Sequence, residues 1–308
     1  MKAIMYHYVR PYDRNFPFFK NLNIEDFCKQ LDYFQENFGF VSQHDFINSF
    51  QTGVPVNGVI LTFDDGLKCH YKYVFEELKR RNLWGVFYIS TKPYKTKKIL
   101  DVHRIHLLLG HVESNILYEY LKTLIQEEML TDKFRIEFRE LTYADQDNDY
   151  YTQLIKRILN YYITYEYREN VIDKLMDKFI RNSMNSVDSF YLTSHEMKEM
   201  QNAGMIFGSH AVSHSVMSKL TLIEQTHEIV DSFNFIEQEL GESEYKTFCY
   251  PYGGFHTFSK ETEEILKQKN CLFSFNVEHR DITSKDILER PQALPRYDCN
   301  FFEYGKCR

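Results

Sequence analysis

The segment Val59-Ile60-Leu61-Thr62-Phe63-Asp64-Asp65-Gly66 limits the folds open to this chain more than any other. An apolar run rich in β-branched residues reads as a strand buried on both faces, as in a parallel sheet. The run ends on two adjacent carboxylates and a glycine. Unpaired carboxylates are costly to bury, so a pair at the end of a core strand calls for a partner. Strand ends are also where α/β folds deliver side chains to a site. Neighbouring strand residues point to opposite faces, but Gly66 permits a turn that brings both carboxylates toward one pocket. Taken by itself, Asp-Asp-Gly also reads as an Asx-type turn capping a helix that starts near His70.

Around this strand the chain alternates. Ala3–Val9 reads as a first strand, and Asn23 as the cap of a helix whose face is Phe27, Leu31, Phe34 and Phe38, with Gly39 ending it. A brief strand at Phe40-Val41, a helix from Gln43 to Phe50, the central strand, a helix through Arg81 and a strand at Trp84–Ile89 follow. Strands alternating with helices predict a parallel sheet or an α/β barrel. The rhythm stops near Ser90 with a basic loop, Lys92–Lys98. Helical spacing then takes over, as in Leu117, Tyr120, Leu121, Leu124 and in Val171, Ile172, Leu175, Met176, Phe179. We expect an all-helical insertion at about 92–190, broken by the polar turn Asp145–Asp149, within a single domain spanning 1–308. Alternation resumes with a helix capped at Ser194, a strand at Met205–Gly208, a helix over 222–240, a strand at Lys246–Tyr250, a helix at Ser259–Lys269 and strands at Leu272–Phe275 and Leu294–Tyr297. Seven or eight short strands suit a barrel better than an open sheet.

Composition narrows the function classes. A net charge of −7 argues against nucleic-acid binding. No apolar run reaches membrane-spanning length, and the first ten residues lack an apolar h-region, so no signal peptide is expected. The six cysteines are scattered without a C-x-x-C pair, which favours reduced thiols and a cytoplasmic setting. Aromatic residues at 16% suit sugar stacking and plain packing equally.

Two further strand ends carry chemistry-bearing residues. His210-Ala211-Val212-Ser213-His214 follows the Met205–Gly208 strand; on a helical turn its imidazoles would share a face and grip one metal ion. Two histidines and one aspartate make a facial set with positions left for water and substrate. An isolated pair at this spacing also fits ordinary core or surface histidines. In Phe248-Cys249-Tyr250-Pro251-Tyr252-Gly253-Gly254 the proline has no N–H, so the Tyr252 amide is the first donor that could face an oxyanion. A plain Pro-Gly turn is the other reading.

Taken in order, Thr62-Phe63-Asp64-Asp65-Gly66, His210-x-x-x-His214 and Tyr250-Pro251-Tyr252-Gly253 resemble the motifs of the polysaccharide deacetylases, the NodB-homology or carbohydrate esterase family 4 enzymes. The resemblance covers about 1–91 and 190–298 and leaves the helical insertion outside. It implies a distorted (β/α)7-type barrel and a divalent metal, usually zinc, used to remove N-acetyl groups from amino sugars. It further implies Asp64 as general base, Asp65, His210 and His214 as metal ligands, and the Tyr252 amide as oxyanion donor.

The chain departs from the family pattern where the general acid is usually found. The C-terminal stretch that often carries a Leu-x-His reads Leu294-Pro295-Arg296. The exported poly-N-acetylglucosamine deacetylases instead have an N-terminal Tyr-His, which Tyr6-His7 matches. His7 is therefore the expected acid, with His279 as the second candidate. Tyr250 stands where many relatives have an arginine that orients the catalytic aspartate, and Arg296 is the expected substitute, pairing with Asp64. Ala211 replaces the usual Ser or Thr.

The expected activity is carbohydrate N-deacetylation in surface-polysaccharide or lipopolysaccharide synthesis, on a nucleotide-, lipid- or polysaccharide-linked sugar. Hydrolysis of a formyl or O-acetyl group, or non-catalytic sugar binding on the same fold, are the alternatives. The Lys92–Lys98 run allows a peripheral contact with a diphosphate or an anionic headgroup, or simple solvation. The tyrosines between Tyr143 and Tyr167 suit a substrate wall, helix packing or a subunit contact.

Overall fold

Short runs of apolar and β-branched residues, each followed by a helix, pair as parallel strands because every crossover returns the chain in the same direction. In the computed structural model, which describes residues 1–143, 146–180 and 187–308, the strands are β1 (Lys2–Tyr6), β2 (Val59–Phe63), β3 (Val86–Ile89), β4 (Ile206–Ser209), β5 (Lys246–Cys249), β6 (Cys271–Phe275) and β7 (Tyr297–Asp298). Their order is β6-β5-β4-β3-β2-β1-β7, all parallel. The residues before β7 draw the two ends of the sheet together. Leu294 bridges to Phe275 of β6, while Tyr297 and Asp298 pair with Ile4 and Met5 of β1. The result is a curled, distorted (β/α)7 barrel with seven strands among the described residues.

Alternation along the strands divides the side chains into two layers. Ile4, Tyr6, Leu61, Phe63, Phe87 and Phe207 pack with Phe27, Leu31 and Phe34 of the helix Ile24–Asn37. Ala3, Ile60, Val86, Tyr88, Cys249, Phe273 and Leu294 form the other layer, with Phe46 and Ile47 of the helix Gln43–Thr52. Thr62 and Asp64 continue the Ile60 side of β2 by the same period, and this places Asp64 over the second layer.

The chain divides into two compact units: Met1–Pro11, Asn21–Lys97 and Ser186–Arg308, which hold the barrel, and Tyr12–Lys20 with Lys98–Asn185, which is helical. Within the helical unit Leu108, Leu117, Leu121, Ile155, Leu159 and Ile172 are buried. Of the tyrosines singled out above, Tyr161 is buried against Phe138 and Tyr143, so that pair serves helix packing, whereas Tyr150 is exposed. Asp145 of the expected polar turn and residues 181–186 of the expected insertion lie outside the described residues.

Several local expectations are corrected. The Lys92–Lys98 run is not a loop. Lys92–Thr96 is a short helix with Pro93 in its first turn, where a missing N–H costs nothing, and it ends on left-handed Lys97. Lys98 is engaged by Glu169 at 2.5 Å and Asp173 at 3.0 Å within the helical unit. The helix Ser194–Asn202 is capped by Thr193, not Ser194: the Thr193 hydroxyl accepts from the Glu196 amide and the Glu196 side chain reaches back, a reciprocal box that Ser194 cannot form. Phe40 makes a single bridge to Val59 rather than a strand.

Candidate active site

The site is assembled from strand ends of the barrel unit. After β2 the Asp64 amide donates to the Tyr6 carbonyl at 2.9 Å, which prolongs the sheet by one residue. The chain then turns sharply, with Asp65 at φ 80° and Gly66 at φ 62°. Gly66 is required twice over, because a Cβ there would also stand 2.7 Å from the Ile89 side chain. The left-handed Asp65 has no such exemption and costs about 1–3 kcal/mol. The cap role open to this turn is not the one adopted, since no side chain caps the helical turn starting at His70. Both carboxylates are buried.

Asp65 faces His210 and His214. Its Oδ1 lies 3.6 Å from His210 Nε2 and 3.3 Å from His214 Nε2, and donor atoms of all three residues lie within 4.8 Å of one another. Four ligands at about 2.0–2.1 Å around a tetrahedral ion stand about 3.3–3.4 Å apart, so the spacing suits one divalent metal. His210 Nδ1 lies 2.7 Å from the Cys249 carbonyl oxygen, and donation there fixes the tautomer that turns Nε2 toward Asp65. Burial, then the neighbouring His214, lowers the His210 imidazole to about 4, so it stays neutral and able to ligate.

The expected helical turn between the histidines is absent. Residues 210–214 form an irregular loop in which Ala211 (φ 63°) and His214 (φ 57°) are left-handed. The imidazoles converge by this fold-back, their ring centres 4.7 Å apart. The loop is held from outside by Glu228, on the helix Leu222–Leu240, which accepts from the Val212 and Ser213 amides at 2.8 Å each and from the Ser213 hydroxyl at 2.6 Å. Nothing in the sequence singles out Glu228 among the acids of its helix.

Asp64 has different company. Arg296 grips it with two parallel bonds, Nη1 to Oδ1 and Nη2 to Oδ2, each 2.8 Å, and both residues are buried. Burial would raise the Asp64 carboxyl, but the Arg296 guanidinium, His210 and His7 outweigh it and bring it to about 2. Tyr250 takes no part in this. Alternation turns it to the opposite face, into a separate apolar cluster with Phe248, where its ring stacks on Phe258 at 3.7 Å and its hydroxyl donates to the Gln292 carbonyl. The residue that meets the pair from β5 is Cys249, whose Sγ is 3.5 Å from Asp64 Oδ2 and 2.9 Å from Arg296 Nη2. Its period-two relation to Thr247 was the available signal. Burial holds this thiol protonated, with its pKa well above the ordinary value.

His7, just past β1, brings Nε2 to 3.9 Å from Asp64 Oδ2 and keeps 37% of its side chain exposed. Its carbonyl lies 2.7 Å from Nε2 of buried His70, a contact that ties β1 to the turn after β2. His279 packs on the Phe301 ring at 3.9 Å instead. Tyr252 is left-handed (φ 65°) and sets its ring edge-on to His214 at 4.8 Å. Gly253 keeps this turn tight, because a Cβ there would collide with the Val277 side chain.

The sequence from 52 to 272, more than half of the chain, matches the model of the family described as polysaccharide deacetylase. The chain belongs to the polysaccharide deacetylase family. Among curated protein sequences none matches significantly. Solved structures with a similar fold include the Streptococcus pyogenes deacetylase PplD in complex with acetate, at 16% identity and a TM-score of 0.59, covering 97% of this chain and 91% of that one. IcaB from Ammonifex degensii is similar at 16% identity and a TM-score of 0.55, over 96% and 90% of the two chains. A de-N-acetylase from Aggregatibacter actinomycetemcomitans is similar at 15% identity and 0.53, over 96% and 93%. Membership of the family supports carbohydrate deacetylation, and Asp65, His210 and His214 are close enough together to hold a metal ion.

Proposed function

We propose that the chain is a zinc-dependent hydrolase that removes an N-acetyl group from an amino sugar during the synthesis of a surface polysaccharide or lipopolysaccharide. The observation that carries this reading is the division of labour between adjacent carboxylates: Asp65 faces two imidazoles, while Asp64 is held by a guanidinium. Two imidazole nitrogens and one carboxylate suit zinc and leave room for water and substrate. The acetate bound to one similar structure and the de-N-acetylase activity in the name of another support the acetyl group and the nitrogen linkage.

Asp65, His210 and His214 would hold a divalent ion, whose Lewis acidity would make water more acidic and the acyl carbon more electrophilic. Asp64, ionised at all ordinary pH and fixed on both oxygens by Arg296, receives the proton of the attacking water. The Tyr252 amide steadies the developing negative charge on the acyl oxygen. His7, next to Asp64 and open to solvent on one side, returns a proton to the departing amine. A non-catalytic sugar binder would have no need of the buried Asp64–Arg296 pair beside a ligand set.

The test is metal analysis of the purified protein together with a screen of N-acetylated nucleotide sugars, lipid-linked sugars and oligosaccharides for acetate release. Expected are acetate release that chelation stops and zinc restores, and an Asp64→Asn variant that keeps its metal but loses on the order of a hundredfold or more in turnover. Formate release or ester-only cleavage would move the substrate to another acyl group. A protein with no bound metal and no acetate release under added zinc, cobalt or manganese would end the reading. For the acid, a His7→Ala variant with full turnover and an unchanged pH profile would remove His7 from its role.

A further inference from the structure

Arg296 is 1% exposed, and a guanidinium offers five N–H donors and no acceptor. At that depth each unmet donor is costly. Four of these donors have oxygen partners. Nε–H donates to the Asn276 carbonyl at 3.3 Å, Nη1 to Thr62 Oγ1 at 3.0 Å and Asp64 Oδ1 at 2.8 Å, and Nη2 to Asp64 Oδ2 at 2.8 Å. The fifth donates to sulfur: Cys249 Sγ lies 2.9 Å from Nη2. The same sulfur is placed to give its own proton to Asp64 Oδ2, 3.5 Å away. A second contact comes from the main chain of this residue, where the Cys249 carbonyl meets His210 Nδ1 at 2.7 Å. One β5 residue thus touches the base through its side chain and the metal-ligand set through its backbone.

We propose that Cys249 is a positioning residue for deacetylation: its thiol takes the last N–H of Arg296 and donates to Asp64, locking the carboxylate in the orientation from which it accepts a proton. Arg296 follows Leu294, which bridges to β6, the strand beside β5, so Cys249 and Arg296 meet as a matched pair, sulfur to guanidinium. Because the His210 contact is made by the carbonyl, replacing the thiol separates the two functions of the residue. This inference rests on Asp64 being the general base.

Three variants test it. Cys249→Ala removes donor and acceptor, Cys249→Val removes them while filling the space, and Cys249→Ser restores both. Expected are kcat losses on the order of tenfold in the alanine and valine variants, KM within about twofold, undiminished zinc content, and recovery of most of the lost kcat in the serine variant. Nitrogen-15 NMR of the Arg296 side chain provides a readout independent of turnover. Its Nη–H signals should be resolved in the parent protein and Cys249→Ser, and averaged by rotation in Cys249→Ala. Wild-type kcat in Cys249→Ala, a serine variant no better than alanine, or loss of zinc together with kcat would each overturn the proposal. If the parent protein releases no acetate, the functional reading fails by itself, and the NMR comparison still decides whether the thiol holds Arg296.

Discussion

The barrel unit and the helical unit both bury charge, but with different backbones. In the helical unit Arg104 binds Asp101 and Asp173, and Lys98 binds Glu169 and Asp173, so most of the carriers sit on successive turns of two helices, Asp101–His111 and Tyr165–Phe179. The Asp173 side chain remains 45% exposed, and no carrier has a left-handed backbone. In the barrel unit Asp64 and Arg296 come from positions 232 residues apart and are 1–2% exposed. Beside them Asp65, His214 and Tyr252 are held at positive φ. The helical network is a staple that regular structure provides cheaply. The barrel network gathers desolvated charge and backbone strain at one place, which is the physical signature of a site.

The largest test of this contrast is Arg296→Ala. It leaves Asp64 buried without its counter-ion, which should cost about 3–5 kcal/mol by urea denaturation and abolish acetate release. A loss below about 1 kcal/mol would put the pair in the same class as an exposed one. Next comes His70, which burial lowers from 6.5 to about 4 despite the His7 carbonyl contact. The folded state holds His70 neutral while the unfolded state takes up a proton below about 6.5, so this residue's contribution is full above that pH. It is lost as the pH falls toward about 4, by about 3 kcal/mol in all. A His70→Gln variant should show a correspondingly flatter pH–stability curve between those limits, measured against the parent protein. Equal slopes would mean that burial does not hold His70 neutral.

Glu228 acts on the histidine loop from outside the ligand set. Glu228→Gln should weaken zinc binding by about 10–100-fold in competition with a chelator, with the fold intact by circular dichroism; unchanged affinity would show that the loop holds its shape unaided. The smallest effect is expected in the helical unit. Asp173→Asn should cost about 0.5 kcal/mol, as partly exposed pairs do, and leave acetate release unchanged. A loss of several kcal/mol there would erase the distinction between the two networks.

Much of the architecture was legible because its causes are local. A buried strand shows as a short apolar run, and the Asn23 cap and the helix after it show in adjacent residues. The strand-end placement of Asp64, Asp65 and His210 follows from the same reading. The irregular His210–His214 loop was not legible, since its shape depends on Glu228 accepting two amides from a separate helix. The Thr193 cap was missed by one residue because two adjacent hydroxyls compete and only the Glu196 geometry decides between them.

The sequence by itself determined which residues stand at the ends of the core strands, because side-chain alternation and turn chemistry act over a few residues. Only the tertiary structure decided how they are partnered. Arg296 reaches Asp64 because the chain around Leu294 joins β6 to β1 across the barrel, and Cys249 rather than Tyr250 meets it because β5 has that phase relative to β4. Partnership across such distances depends on sheet register and closure, which many weak contacts set jointly and no short stretch of sequence carries. Asp64 and Asp65 are neighbours in the chain, yet an arginine holds one and two histidines face the other, and the curl of the sheet is what separates them.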